Sequence, residues 1–176
     1  MKAGNLFLVG MMGAGKTTVG RLLARRLKLR FYDSDHEIER RCGVKVPVIF
    51  DIEGEAGFRQ REAAVIAELA ALEEVVLATG GGAVLAAASR KLLAARGTVI
   101  YLHAQPEALY ARVRQDRNRP LLATADPLAR LCELYAQRDP LYREIADLVV
   151  ETGPQSAQAL ARQLLGRLRE AWKLSA

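Results

Sequence analysis

Gly10-Met11-Met12-Gly13-Ala14-Gly15-Lys16-Thr17-Thr18 fits the pattern G-x-x-x-x-G-K-[ST], a loop that cradles phosphate groups. Its surroundings are those the pattern requires. Leu6-Phe7-Leu8-Val9 is a short apolar run that reads as a buried strand, and Thr18 to Leu27 carries Val19, Leu22, Leu23 and Leu27 at helical spacing. Successive N–H groups then meet at a helix N-terminus, where the partial positive charge favours an anion. Gly10, Gly13 and Gly15 are expected to take positive φ and to let backbone approach the anion closely. In this chemistry Gly13, Ala14, Gly15 and Thr18 complete the cradle, Lys16 reaches the β- and γ-phosphates of a nucleotide, and the Thr17 hydroxyl ligates Mg²⁺. A bare glycine turn is the bland alternative. The Lys-Thr pair, the strand before it and the helix after it count against that alternative.

The rest of the chain sets the bounds. Its 176 residues are enough for one domain with a sizeable core, and 51% apolar with 26% charged residues is a globular composition. No apolar run approaches the ~20 residues that cross a bilayer. The first residues resemble a signal peptide briefly, but their apolar stretch is itself the strand and loop. Cys42 and Cys132 lack metal-ligand spacing and suit a reducing cytoplasm. The net charge of +6 invites a nucleic-acid reading. The 20 Arg are scattered over several helices, however, and only 6% of residues are aromatic, so no stacking platform emerges. The charge favours small anions, and neither nucleic acid nor membrane is expected as a partner.

Taken in order, the chain alternates strands and helices. Strands are expected at Leu6–Val9, Phe31–Asp33, Val75–Ala78, Thr98–Leu102 and Leu148–Glu151. Between them come helices from Thr18, from about Asp35 to Gly43, from Gly54 through Leu72, over Ser89–Arg96, over Pro106–Arg114 and over Pro127–Arg138, with a last one running to about Trp172. Pro47 sits in the first turn of a short apolar segment, Val46–Phe50. Gln115–Asp126 has no sustained period, is rich in Arg, and reads as a mobile loop. Alternation with continuous apolar strands indicates a parallel sheet covered on both faces. Ligands in such folds sit beyond the carboxyl ends of the strands. The phosphate loop follows the first strand, Asp33 and Asp35 the second, and Gly80-Gly81-Gly82 the third, so these groups should converge.

Asp33 and Asp35 are two residues apart, which in extended backbone puts both carboxylates on one face. Beside a triphosphate, one can hold Mg²⁺ through water while the other accepts a proton from an attacking hydroxyl. The alternative is that one of them caps the helix that follows.

With these segments in view, FYDSDHEIE, IFDIEGEAGFRQRE, LATGGGAV, RNRPLL and QRDPLYREIAD, in this order and spacing, make the chain resemble the shikimate kinase family. The resemblance covers nearly the whole chain. It implies a three-layer α/β/α P-loop kinase fold, like that of nucleoside monophosphate kinases, with a five-stranded parallel sheet in order 2-3-1-4-5. It also implies transfer of the γ-phosphoryl of ATP to the 3-hydroxyl of shikimate, in aromatic amino-acid biosynthesis. Residue by residue, it implies phosphate and Mg²⁺ roles for Lys16 and Thr17, a water-mediated metal role for Asp33, and the base and hydroxyl contact for Asp35. Arg59 and Arg138 would grip the shikimate carboxylate, and the Gly81 backbone would contact the substrate. Arg119 would fold over the phosphates on a lid at about 115–126, and Gln155 would line the adenine pocket. A cytoplasmic monomer is expected, with ATP and shikimate as its ligands.

Elementary chemistry agrees with several of these roles. An arginine presents a planar fork to a carboxylate where lysine offers a point charge. Glycines allow backbone to approach a ring. A closing loop that carries Arg119 would exclude water from the reacting phosphoryl group. Two other functions compete. A different small-molecule kinase of the same fold, such as a gluconate kinase, should lack the combination of Asp33, Asp35, Arg59, Gly81 and Arg138. A non-catalytic ATP-binding regulator has no need to keep Asp35 and Arg119.

Overall fold

A computed structural model describes residues 4–116 and 120–173. Strands β1 (Leu6–Val9), β2 (Arg30–Asp33), β3 (Val75–Ala78), β4 (Thr98–His103) and β5 (Leu148–Glu151) form one sheet in the order β2-β3-β1-β4-β5. Every pairing is parallel. The intervening helices are α1 (Lys16–Leu27), α2 (Ser34–Cys42), α3 (Val46–Ala70), α4 (Ala87–Arg96), α5 (Pro106–Val113), α6 (Pro127–Ile145) and α7 (Ala157–Lys173). β1, β3 and β4 are buried along their whole length, because helices cover both faces of the sheet. α1 packs on α7 and, separately, α3 and α6 each pack on α4. Among the described residues, no helix is long and apolar enough to cross a membrane.

The strand order places the chemistry. β2, β3 and β1 are neighbours, so the turns that leave their carboxyl ends are neighbours too. Asp33 ends β2, Gly80–Gly82 follow β3, and the phosphate loop follows β1. The glycine turn therefore lies between the other two groups.

Two local readings need correction, and a third is borne out. α6 does not stop at Arg138 but continues through Pro140 to Ile145. Proline inside a helix removes a hydrogen bond and typically costs about 3 kcal/mol. Here Tyr142 and Ile145 are buried on the far side of Pro140, and their packing holds the helix together beyond it. α3 runs from Val46 to Ala70 with one break at Gly54, whose φ of 69° and ψ of −178° are not helical. The short segment and the long helix are thus two helices that meet at a kink at Gly54, which agrees with the sequence reading. Asp35 is not in extended backbone but in the first turn of α2. Asp33 and Asp35 face a common space because strand gives way to helix between them, not through the two-residue period of a strand.

Gly20 sits where α1 crosses the sheet. A Cβ there would lie 2.7 Å from Phe31 Cε2 and 2.8 Å from Leu8 Cδ1. Alanine gains about 1 kcal/mol in helix propensity, but overpacking a full core costs about 1–3 kcal/mol. Gly20→Ala is expected to lower stability by about 1 kcal/mol net, read as a lower urea midpoint. An unchanged or raised midpoint would show that the sheet yields at this point.

Candidate active site

The phosphate loop turns on glycines in left-handed backbone, with φ of 142° at Gly10, 78° at Gly13 and 89° at Gly15. Gly15 is the N-cap of α1. Lys16 is buried, and its Nζ donates to the carbonyl oxygens of Gly10 and Met11, both at 2.8 Å. The ammonium is thereby held inside the curve of the loop. The Thr17 hydroxyl donates to Asp33 Oδ2 at 2.6 Å. Asp33 Oδ1 accepts the backbone N–H groups of Asp35 and His36, which caps α2. Asp33 therefore caps a helix, as one of the two alternatives has it, and its other oxygen faces the phosphate loop through Thr17.

Two cavities meet here. One, of about 290 Å³, is lined by the phosphate loop. The other, of about 320 Å³, is lined by Arg59, Glu62, Arg138 and Phe58. Thr17, Asp33, Asp35, Gly80 and Gly81 border both. Asp116, Pro120 and Leu121, from the segment read as a lid, also line the second cavity. Pro120–Leu122 forms one 3-10 turn in that segment, and Arg119 lies outside the described residues.

The two arginines of the second cavity differ electrostatically. Arg59 Nη1 donates to Glu62 Oε2 at 2.7 Å, while Nε and Nη2 donate to Glu55 Oε1 at 3.2 and 3.0 Å. Of its five N–H groups this leaves one on each Nη, an end-on fork. Burial pulls its pKa down, but Glu62 and Glu55 outweigh it and the net shift is upward. Arg138 is 1% exposed and has no carboxylate within ion-pair distance among the described residues. Burial, with Arg59 as a like charge nearby, pushes its pKa below the ordinary arginine value. Burial also raises Glu62, against the pull of Arg59.

The glycine turn has a steric reason different from approach to a ligand ring. A Cβ on Gly82 would lie 2.1–2.4 Å from the Arg59 guanidinium. On Gly80 it would lie 2.4 Å from Glu62 Oε1 and 2.6 Å from Asp35 Oδ1. A Cβ on Gly81 would meet nothing closer than 3.4 Å, at Arg138 Nη1. The outer two glycines make room for charged side chains. Ser34 Oγ accepts the Gly80 N–H at 2.8 Å and ties the turn to α2.

The structure thus brings together Gly13, Ala14, Gly15, Lys16, Thr17 and Thr18 on one side and Asp35, Arg59, Gly81 and Arg138 on the other, with Asp33 between. Gln155 is apart. Its Oε1 accepts the Gly153 N–H at 2.9 Å and its Nε2 donates to Glu151 O at 2.9 Å, which leaves one N–H of the exposed amide for another partner. Sequence reasoning missed Glu62, Ser34 and Arg112. Glu62 was within reach, since it stands three residues after Arg59 on a helix. Arg112 carried no such signal. It donates to Gly13 O at 3.2 Å and Thr152 O at 2.8 Å, joining the phosphate loop to the β5–α7 turn.

Because the atoms facing Gly82 are the mobile end of a side chain, Gly82→Ala should fold normally and displace Arg59. The expected result is a melting temperature within a few degrees of the parent and at least about tenfold weaker binding of shikimate, the acceptor that the resemblance implies. Calorimetric titration measures it, and unaltered binding would show that the guanidinium has other room.

Comparison with known proteins agrees with this geometry. The family model for shikimate kinase matches residues 12–169. A shikimate kinase of Thiobacillus denitrificans is 65% identical over 95% of this chain and 91% of that protein. One from Ralstonia nicotianae is 61% identical over 97% and 90%. The solved shikimate kinase from Acinetobacter baumannii in complex with shikimate superposes with a TM-score of 0.93 at 49% identity, covering 96% of this chain and 94% of that one. A gluconokinase from Sinorhizobium meliloti shares the fold alone, at 17% identity and a TM-score of 0.61. With the family model and relatives both spanning nearly its whole length, this chain belongs to the shikimate kinase family of ATP-dependent kinases.

Proposed function

We propose that the chain transfers the γ-phosphoryl group of ATP to the 3-hydroxyl of shikimate, giving shikimate 3-phosphate and ADP, with the residue roles that follow. The observation that carries the acceptor assignment is Arg138, a buried guanidinium with no carboxylate partner among the described residues, bordering a cavity next to the half-used fork of Arg59. Such a pair suits a small acid that supplies its own carboxylate. The relative solved in complex with shikimate supports that acid.

ATP phosphates sit on the backbone of residues 13–18, with Lys16 on the transferring end. The Thr17 hydroxyl and Asp33 are hard oxygen donors 2.6 Å apart, which suits Mg²⁺ held by few protein oxygens plus phosphate and water. Thr17 would bind it directly and Asp33 through water. When bound, the ion neutralises charge on the β- and γ-phosphates. Asp35 borders both cavities. It orients the 3-hydroxyl and takes its proton as the oxygen attacks phosphorus and the bond to the β-phosphate oxygen breaks. Arg119 covers the phosphates from the lid, and Gln155 lines the adenine pocket. On this reading the chain is a monomer with ATP and shikimate as its ligands. The two free thiols suit the cytoplasm.

The reading is tested by coupled ADP release with Mg²⁺, ATP and either shikimate or gluconate. Turnover with shikimate alone is expected, and preference for gluconate would refute the assignment. In the same assay Asp35→Asn should lower kcat by about 10²-fold with little change for ATP binding, the lower part of the general-base range. A variant within about threefold of the parent would remove Asp35 from the role of base.

Arg138→Met separates stability from function. Replacing an uncompensated buried charge with an apolar side chain is often neutral or stabilising, whereas losing a charged partner of the ligand costs about 2–5 kcal/mol. The variant should unfold at or above the parent's temperature yet bind shikimate at least about thirtyfold more weakly. Weaker folding together with intact binding would reverse the assignment.

A further inference from the structure

Tyr142 lies on α6 beyond Pro140, is fully buried, and is not part of either cavity wall. Its ring stacks against Tyr101 with centroids 4.9 Å apart. Its hydroxyl is 2.5 Å from Gly81 O and 3.6 Å from Met11 Sδ. A phenol has one proton. The carbonyl is both the closer and the stronger acceptor, so the proton goes to Gly81, and Arg138 is near enough to act on the hydroxyl electrostatically. Burial raises the phenol above its ordinary pKa, so it stays a donor at neutral pH.

The geometry of the peptide unit carries the consequence. Gly81 C=O and Gly82 N–H belong to one planar trans peptide and point in opposite directions. A carbonyl held on a hydroxyl behind the cavity wall sends the N–H toward the cavity. Gly82 borders that cavity, and no acceptor takes its N–H among the described residues. With glycine on both sides this peptide has little intrinsic preference, so something must hold it.

We propose that Tyr142 is a positioning residue of the acceptor site: its hydroxyl fixes the Gly81–Gly82 peptide so that the Gly82 N–H faces the bound acid. One hydroxyl thereby couples the glycine turn to Arg138, and the two donors keep a fixed spacing. The proposal rests on the acceptor being shikimate, and it adds a residue that touches neither substrate.

Tyr142→Phe removes the hydroxyl and keeps the ring that packs on Tyr101. Its shikimate KM should rise about tenfold while its ATP KM stays within about twofold. A merely structural role would move both or neither. A shikimate KM raised less than about threefold, or a rise shared equally by ATP, overturns the proposal. The parent is assayed first with shikimate. Its inactivity would overturn the acceptor reading and the proposal with it, whereas an active parent with an unmoved KM in the variant overturns the proposal alone. Should the variant fail to fold, amide NMR of the parent decides. The Gly82 N–H resonance should shift on adding shikimate and not on adding a non-hydrolysable ATP analogue, and an unmoved resonance at saturating shikimate overturns the proposal.

Discussion

Holding a guanidinium out of water costs several kcal/mol unless its charge and its N–H groups are met by something else. Arg138 is held so, 1% exposed, and its Nε–H has no hydrogen-bond partner among the described residues. Among the described residues no carboxylate forms an ion pair with it, and burial depresses its pKa against the weaker pull of Glu55 and Glu62. A cavity wall kept in this condition favours any anion that can reach it, because binding then recovers what folding left uncompensated. The acceptor side of the molecule depends on this imbalance. Neutralising Arg138 with a nearby glutamate would relax the protein and remove its reason to bind an acid.

Arg59 has the opposite condition, and the contrast is what lets two cations share one pocket. Glu62 and Glu55 hold its charge in check and orient its plane, while two outward N–H groups remain. Arg138 thus contributes uncompensated charge and Arg59 contributes geometry. Two unpaired guanidinium groups would repel each other across the cavity. Two fully paired ones would have little reason to accept a third carboxylate. The glycine turn makes the arrangement physically possible, since a single Cβ at residue 80 or 82 would occupy space that Glu62, Asp35 or Arg59 fills.

The fold was almost wholly legible in the sequence. Apolar runs of strand length between helical periods give all five strands within a residue or so, and the resemblance supplies their order. What differs is local: the sequence reading ends the helix at Arg138, while the burial of Tyr142 that carries it onward is a tertiary fact. Asp33 and Asp35 were correctly joined on an incorrect geometry, because a two-residue interval was read as strand when a helix starts inside it. Residues 13–18 were legible because a phosphate loop is a local device with a local pattern. Ser34 and Tyr142 were not, since their bonds to the glycine turn span 46 and 61 residues and no spacing announces them. Glycines 80 to 82 are legible, but the steric reason for the outer two is not, because the atoms that Gly80 and Gly82 make room for arrive from α2 and α3.

The same difference separates what the fold does from what the residues do. The phosphate side is built largely of backbone: N–H groups at the start of α1, left-handed glycines, and a lysine bound to two carbonyls. Backbone sites tolerate wide change in sequence, which is why a gluconokinase at 17% identity shares the architecture. The acceptor side is built of side chains from α2, α3 and α6, held around one glycine turn, and side chains are what a change of substrate replaces. A match in shape at low identity therefore speaks only for the fold. On the proposed reading the acceptor is decided where Arg59, Glu62 and Arg138 meet Gly80–Gly82, and a related kinase with another acceptor should differ there before it differs anywhere in the sheet.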